Sequence, residues 1–240
     1  PLRCQVRVLP AADPKAPLII YHHGLNEYPY DNSWRRIFLQ GEGFPAHVVC
    51  IQAPFHDRWA RPLQEGFTSL RSVYQMFAGS LTMMRLVQQQ FARQDAAFTM
   101  LVGVSWGGIT SMLYAGLYQS VRAVVPMFAS PNLAEVIWDV AQMFGREVPL
   151  DKAALAERLD FTPYYERCDA ARVFPLMGEL DEFFRLEKHG RFYNPEQIAT
   201  ITASHITGMW QPGAIKAHVW QSVERAALLE AVVGETAVGR

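Results

Sequence analysis

Short apolar runs alternate along the chain with longer segments of helical periodicity, and this alternation is the feature that most constrains the fold. The apolar runs span residues 6–9, 18–21, 46–52, 98–102, 121–128, 173–177 and 198–203. Helical patterns span residues 70–93 and 109–118, a polar stretch around 187–197, and residues 213–233. Strands that alternate with helices are typical of a parallel sheet covered on both faces. The sequence therefore predicts an α/β protein with a mostly parallel central sheet flanked by helices.

One segment, residues 131–168, interrupts this alternation. It carries one helical stripe of apolar residues and then a second, shorter one, where the alternation would place the next strand. The two stripes consist of Leu133, Val136, Ile137, Val140 and Phe144, and of Ala154, Leu155 and Leu159. We expect a small helical cap at 131–168, inserted into a single domain that spans residues 1–240, a length that one α/β core can reach.

The composition argues against several classes of protein. Half of the residues are hydrophobic and 19% are charged, which favours a thick core over disorder. The net charge is −1 and there is no long run of lysine and arginine, so neither nucleic acid nor an anionic membrane is an expected partner. No stretch approaches the roughly 20 apolar residues of a membrane span. The first residues lack the apolar region of a signal peptide and a starting methionine; we expect a cytoplasmic protein by default, with a removed export signal left open.

The residues that could bind a metal or form disulfides are sparse. Cys4, Cys50 and Cys168 are far apart and odd in number, which argues against a disulfide framework and a zinc cluster. His22 and His23 are neighbours at the end of a predicted strand, and adjacent residues on a strand point to opposite faces. We therefore expect no metal site.

The strongest local signal is the sequence Gly-Val-Ser-Trp-Gly-Gly at 103–108, which lies between an apolar strand and a helix. A serine at such a turn has a strained backbone that presents its hydroxyl above the sheet. The residues two before and two after the serine crowd each other, and glycine fits both places. The N-terminal N–H groups of the helix favour a developing negative charge beside the serine. Ser105 is therefore the predicted nucleophile.

A nucleophilic serine needs a base that accepts its proton. In this arrangement the base lies at the end of a later strand. His205 directly follows the apolar run at 198–203 and is the predicted base. His189 lies in a charged stretch, where we expect a solvated position, and His218 lies in the closing helix, where we expect a half-buried structural role.

The base in turn needs a carboxylate that orients it. Asp181 lies in the loop that follows the apolar run at 173–177, and it is the predicted acid. Other carboxylates near the ends of these strands are Glu135, Asp169, Glu179 and Glu182. Of these, Glu135 is an alternative because it follows an earlier strand.

Acyl transfer passes through a tetrahedral oxyanion that backbone N–H groups can stabilise. The first predicted donor is the N–H of Trp106, which follows the nucleophile. The second belongs in the loop after an earlier strand, where the N–H of Leu25 is the predicted donor and Asn26 the alternative.

Four residues are predicted to contact the substrate, namely Asn26, His56, Trp138 and Phe144. His56 follows another strand at the same edge of the sheet; a structural hydrogen bond that holds the oxyanion loop is its alternative role. Trp138 and Phe144 belong to the predicted cap, and their apolar rings favour an apolar or mixed acyl group.

These elements resemble, over essentially the whole chain, those of α/β-hydrolase-fold enzymes, and in particular small bacterial esterases of the dienelactone-hydrolase and prolyl-oligopeptidase-like groups. The resemblance is carried by residues 23–24, 54–57, 103–108, 178–181 and 204–205. It implies a Ser105–His205–Asp181 triad in a hydrolase that needs no cofactor. The chain departs from the pattern at Ser204 and at Asp57, where glycine is common in the family.

The predicted function is that of a serine hydrolase that cleaves carboxylic esters of small molecules through an acyl-enzyme on Ser105. A peptidase or amidase, an acyltransferase, or a cofactor-free haloperoxidase would use the same three side chains. A non-catalytic ligand receptor on the same fold is a further alternative, although such receptors usually have an incomplete triad.

Overall fold

The computed structural model describes residues 4–41 and 43–238 and has a seven-stranded sheet at its centre. The strands are β1 (Val6–Leu9), β2 (Leu18–His22), β3 (His47–Ile51), β4 (Thr99–Val104), β5 (Ala123–Met127), β6 (Leu176–Gly178) and β7 (Ala199–Ile201). Their order across the sheet is β1-β3-β2-β4-β5-β6-β7. β1 runs antiparallel to β3, and the other neighbouring pairs run parallel. The mostly parallel sheet is therefore confirmed. The ends of the predicted single domain, residues 1–3 and 239–240, lie outside the described residues.

Helices cover both faces of this sheet. They are α1 (Asn32–Phe38), α2 (Leu70–Ala92), α3 (Trp106–Tyr118), α4 (Leu133–Met143), α5 (Lys152–Leu159), α6 (Thr162–Tyr165), α7 (Leu186–His189), α8 (His205–Gly208) and α9 (Pro212–Val238). In the described part of the chain, none of these helices is long and apolar enough to cross a bilayer.

Two apolar clusters pack on opposite faces of the sheet, because successive residues of a strand point to opposite sides. On β4, Leu101 faces the cluster that includes the buried side chains of α2 and α3. Its neighbours Met100 and Val102 face the cluster that includes the buried side chains of α1 and α9. None of these three residues has any exposed surface, so β4 lies at the centre of the core. The close packing around it fixes the position of the turn that follows β4.

The segment 131–168 forms α4, α5 and α6 between β5 and β6. Buried residues of these helices, including Leu133, Leu155 and Tyr165, belong to the same cluster as α2 and α3. The three helices therefore rest on the core along one side. That they act as a cap stays a prediction.

Some element boundaries differ from the predicted ones. α3 begins at Trp106, directly after the serine, and not at residue 109. β6 covers Leu176–Gly178, although its predicted run was 173–177. α1 was not predicted. Its seven residues are too few to show a helical period, and they include the polar pairs Asn-Ser and Arg-Arg, which interrupt the apolar pattern.

Candidate active site

The turn between β4 and α3 places Ser105 in a strained backbone conformation, with φ 53° and ψ −116°. Such a conformation costs a non-glycine residue about 1–3 kcal/mol. The two flanking glycines make the turn possible. A Cβ on Gly103 would lie 2.2 Å from the carbonyl oxygen of Gly107, and a Cβ on Gly107 would lie 2.1 Å from the carbonyl oxygen of His22. No side chain fits at either position without a shift of the backbone.

Three side chains form a continuous hydrogen-bonded row at this turn. The Nε2 atom of His205 lies 3.1 Å from the Oγ atom of Ser105. The Nδ1 atom of the same ring lies 2.9 Å from the Oδ2 atom of Asp181. Because an ionised carboxylate only accepts hydrogen bonds, Nδ1 carries the proton of the neutral ring and Nε2 is left as an acceptor for the serine hydroxyl. This is the arrangement in which a histidine can remove a proton from serine.

Two loops at the carboxyl edge of the sheet bring the acid and the histidine to the serine. Asp181 follows β6, and its buried Oδ1 atom accepts the backbone N–H groups of Phe183 and Phe184 at 2.9 and 2.8 Å. His205 follows β7 as the first residue of α8, and its backbone N–H donates to Glu182 at 3.1 Å. Both side chains are thus fixed by the backbone around them, which preserves the geometry of the row.

The loop after β2 runs alongside the serine. A Cβ on Gly24 would lie 3.9 Å from the Cβ of Ser105. Within this loop the N–H of Gly24 donates to Glu27 at 3.3 Å, and the N–H of Asn26 donates to the Nε2 atom of His56 at 3.2 Å. Among the described residues, no acceptor is recorded for the N–H of Leu25 between them. The N–H of Asn26, the alternative donor to an oxyanion, is therefore already in use.

The side chain of Glu27 holds the same loop from behind. Its two oxygens accept the N–H of Gly24 and, at 2.6 Å, the N–H of Ser33 in the first turn of α1. Burial raises the pKa of Glu27 to about 7, against the opposing effect of these hydrogen bonds. Sequence reasoning missed Glu27, because nothing in the local sequence showed that this carboxylate turns inward.

Three histidines form a buried group beneath this loop. The ring centroids of His22 and His23 lie 5.1 Å apart, and those of His23 and His56 lie 4.6 Å apart. His22 and His23 are closer than strand alternation predicts, because β2 ends at His22 and the chain turns. Burial lowers the pKa of His22 and of His56 to about 4, and that of His23 well below its usual range. The three rings are therefore neutral at pH 7.

The ring nitrogens of these histidines bond to the protein. His22 lies 3.0 Å from the hydroxyl of Ser80, and His23 accepts the N–H of Ala53 at 3.0 Å. The described residues contain no group of three side chains able to hold a metal ion. The rings thus join the ends of β2 and β3, which positions the loop that carries Leu25.

The residues predicted to contact substrate lie in different environments. His56 is 1% exposed and binds the backbone of Asn26 and Pro54, so it lies behind the loop. Asn26 has a φ of 59° and a buried Oδ1 atom. Trp138 is partly buried on α4, whereas Phe144 at the end of that helix is 62% exposed. Substrate contacts of these residues stay predictions.

The other histidines and carboxylates lie outside the row. The expectation that His189 is solvated is wrong: its ring has no exposed surface and packs against Phe184 and Phe192, with centroid distances of 5.8 and 6.4 Å. The last residue of a helix of one turn can point inward even when its neighbours are charged. His218 is buried and bonds to the carbonyl of Phe174 at 3.0 Å. Glu135 is paired with Lys188 and Arg191.

Comparison with solved structures identifies the fold. The chain superimposes on Est1E from Butyrivibrio proteoclasticus, solved with ferulic acid bound, with a TM-score of 0.65, 14% identity, and 93% of this chain and 96% of that chain covered. The enol-lactonase from Burkholderia xenovorans LB400 gives a TM-score of 0.59 at 16% identity, over 92% of this chain and 96% of that chain. The acylaminoacyl peptidase of Pyrococcus horikoshii gives 0.60 at 13% identity, over 93% of this chain and 38% of that chain.

These superpositions show that the chain has the α/β-hydrolase fold, as its sequence predicted. No protein-family model matches the sequence, and no curated protein matches it. With identities this low, the likeness defines the fold, and the function has to be argued from the site.

Proposed function

We propose that this protein is a serine hydrolase that cleaves carboxylic esters through an acyl-enzyme on Ser105. The observation that carries the proposal is the row of hydrogen bonds from Ser105 through His205 to Asp181, at 3.1 and 2.9 Å. The row stands at a strained turn whose two glycines admit no side chain. Strain of this kind is retained where the surrounding structure enforces it, and it concentrates at active sites.

The proposed reaction has two steps. The Oγ atom of Ser105 attacks the ester carbonyl carbon while its proton passes to the Nε2 atom of His205. The protonated ring then gives that proton to the departing alcohol, which leaves an acyl group on Ser105. In the second step water loses a proton to His205 and attacks the acyl carbonyl, so that the carboxylic acid leaves and Ser105 recovers its proton. Asp181 keeps the ring oriented throughout, and no cofactor or metal takes part.

Two backbone N–H groups are proposed to bind the oxyanion. Trp106 is the first residue of α3, so its N–H has no acceptor within the helix and points out of the positive end of the helix dipole. The N–H of Leu25 is the second, because both neighbouring N–H groups of its loop are engaged by Glu27 and His56. Donors that are fixed before the reaction stabilise the transition state without reorganisation.

Esters of small molecules are the proposed substrates. Among the superimposed structures, Est1E contains ferulic acid, and the enol-lactonase bears the name of a lactone-cleaving enzyme. Ferulic acid is a carboxylic acid, the class of product that ester hydrolysis releases, and a lactone is an internal ester, so both neighbours favour ester chemistry. Leu25, in the loop after β2, and Trp138, on α4, are partly buried and pack against the core. Their apolar side chains favour an apolar acyl group.

A panel of p-nitrophenyl esters of graded acyl length, assayed beside an aminoacyl anilide, tests the proposal. We expect ester hydrolysis in the unmodified protein and a loss of at least about 10⁴-fold in kcat for Ser105→Ala. Ser111→Ala is the matched control, because Ser111 is buried on α3, the helix that follows Ser105, and its hydroxyl has no partner in the described structure. That control should keep its activity.

Each rival function has its own outcome in this experiment. Faster cleavage of the anilide than of the esters would indicate an amidase or peptidase. Preferential transfer of the acyl group to an added alcohol would indicate an acyltransferase. Absence of turnover, together with failure of Ser105 to react with a fluorophosphonate, would contradict the proposal and favour a non-catalytic binding protein.

A further inference from the structure

Three phenylalanine side chains surround the imidazole of His205. The ring of Phe184 stacks on it, with centroids 5.2 Å apart and an angle of 26° between the planes. Phe183 and Phe128 meet it at 70° and 83°, with centroid distances of 5.1 and 6.2 Å. We call Phe128, Phe183 and Phe184 the aromatic box. Sequence reasoning did not assign a function to any of them.

We propose that Phe184 is a positioning residue that stabilises the protonated form of His205 through the negative face of its ring. This inference rests on the proposed function, in which His205 takes a proton from Ser105. Of the three rings of the aromatic box, Phe184 alone lies nearly parallel to the imidazole, and the two rings are stacked with their centroids 5.2 Å apart. An aromatic face attracts a cation within about 6 Å of its centroid.

The position of Phe184 is fixed on both sides. Its backbone N–H donates to the Oδ1 atom of Asp181 at 2.8 Å, and the Oδ2 atom of the same carboxylate bonds to His205. The buried ring of His189 packs behind it. Asp181 therefore orients the imidazole and the stacking ring together, so the two rings keep their relative geometry during the reaction.

Burial strengthens the interaction. Phe184 is 4% exposed, and Phe128 has no exposed surface. Attraction between a cation and an aromatic ring increases when water is excluded. A leucine at position 184 would exclude water as well but would present no negative face.

Phe128 shows that the aromatic box is maintained at a cost. Its φ is 48°, a backbone conformation that a phenylalanine rarely adopts. Two glycines leave room for its ring: a Cβ on Gly208 would lie 2.3 Å from the Cζ atom of Phe128, and a Cβ on Gly178 would lie 3.2 Å from its Cε1 atom. Strain that persists next to a reactive group indicates that the position of the side chain matters.

Four polar or titratable groups lie around His205. Asp181 and Glu182 approach from the loop after β6, and Ser105 approaches from the turn after β4. His189 lies one ring further away, behind Phe184. A change confined to the electron density of the Phe184 ring leaves all four groups in place.

Fluorinated phenylalanine at position 184 supplies such a change. Mono-, di- and trifluorinated rings keep the shape of phenylalanine while each fluorine weakens the negative face. We would measure kcat/KM against pH for the series, and titrate the ring protons of His205 by NMR in the same series built on Ser105→Ala. The matched control is the same series at Phe192, which packs against His189 and has no ring contact with His205 in the described structure. Phe184→Leu is a further variant, which removes the aromatic face and needs no fluorinated amino acid.

We expect the midpoint of the His205 titration, and of the acid limb of kcat/KM, to move to lower pH with each fluorine. The total displacement should be about half to one pH unit, with a loss of about fivefold in kcat. The series at Phe192 should leave both midpoints unchanged. An NMR midpoint that does not depend on fluorination at 184 would overturn the inference. Because the NMR titration needs no turnover, it tests Phe184 even if the esterase assay fails.

Discussion

The buried carboxyl of Glu27 makes the pH dependence of stability a test of how the loop beside Ser105 is built. Its pKa rises from 4.5, the ordinary value, to about 7 in the folded protein because burial disfavours the charge. A group whose pKa is higher in the folded state contributes stability at low pH and loses it as the pH rises. Glu27 therefore destabilises the fold progressively between these two pKa values. The difference between them corresponds to about 3 kcal/mol.

Glu27→Gln removes this contribution, because glutamine cannot ionise. Its side-chain oxygen still accepts one of the two N–H groups, from Ser33 or from Gly24, whereas the second loses its acceptor. That loss lowers the free energy of unfolding by about 1–3 kcal/mol at every pH. The ionisation of Glu27 is therefore measured by how the free energy of unfolding changes with pH, and not by its value at any one pH.

Urea denaturation at about pH 5 and about pH 8 measures the effect. We expect the free energy of unfolding of Glu27→Gln, relative to the unmodified protein, to rise by about 2–3 kcal/mol between these two conditions. The buried histidines act in the opposite direction: the lowered pKa values of His22 and His56 give stability above their ordinary value of 6.5, which is lost as the pH falls towards 4. They are present in both proteins and cancel in the difference.

Glu166→Gln is the matched control for this measurement, because Glu166 is exposed on the surface. Its profile should run parallel to that of the unmodified protein. A parallel profile for Glu27→Gln as well would refute the reasoning, since it would mean that Glu27 is ionised in the folded protein as easily as in the unfolded chain.

Three further substitutions test individual features. Ser105→Gly should be about 1 kcal/mol more stable to urea than Ser105→Ala, because glycine adopts a φ of 53° without strain; equal stabilities would argue against strain at the turn. Gly107→Ala should lower the free energy of unfolding by at least about 2 kcal/mol and abolish labelling by a fluorophosphonate, because its Cβ would lie 2.1 Å from the carbonyl oxygen of His22. A stable variant that is still labelled would contradict this geometry. His189→Leu should stabilise the protein by about 1–2 kcal/mol, because burial lowers the pKa of His189 and its two ring nitrogens have no partner in the described structure. A destabilised variant would contradict this and would indicate that a buried water binds the ring.

Much of the fold follows from the sequence because the side chains of a buried parallel sheet leave a simple pattern. Runs such as 18–21 and 100–102 are hydrophobic throughout, since both faces of these strands are covered. The position of a polar residue after such a run then predicts its place at the carboxyl edge. This reasoning predicted that Ser105, Asp181 and His205 would lie together, and the structure brings them within hydrogen-bonding distance.

Burial of single polar side chains could not be predicted in the same way. Glu27 and His189 stand among polar or charged neighbours, so the local sequence suggests solvent. Their burial depends on what packs over them: α1 and the loop after β2 enclose the first, and two phenylalanines enclose the second. The pair Phe183-Phe184, directly after the acidic residues 181–182, was the one visible sign of an aromatic environment around the predicted base.

The distribution of backbone strain points to the same edge of the sheet, independently of the hydrogen-bonded row. In the described part of the chain, seven non-glycine residues have a positive φ, and four of them, Asn26, Phe55, Ser105 and Phe128, follow the strands β2, β3, β4 and β5. Each such residue costs about 1–3 kcal/mol, which a surface loop with no function would relieve through substitution by glycine. The four strands are buried on both faces and supply the stability that offsets this cost. The core therefore holds four consecutive turns in conformations that they would not adopt alone, and those turns carry the serine, the loop of Leu25 and one ring of the aromatic box.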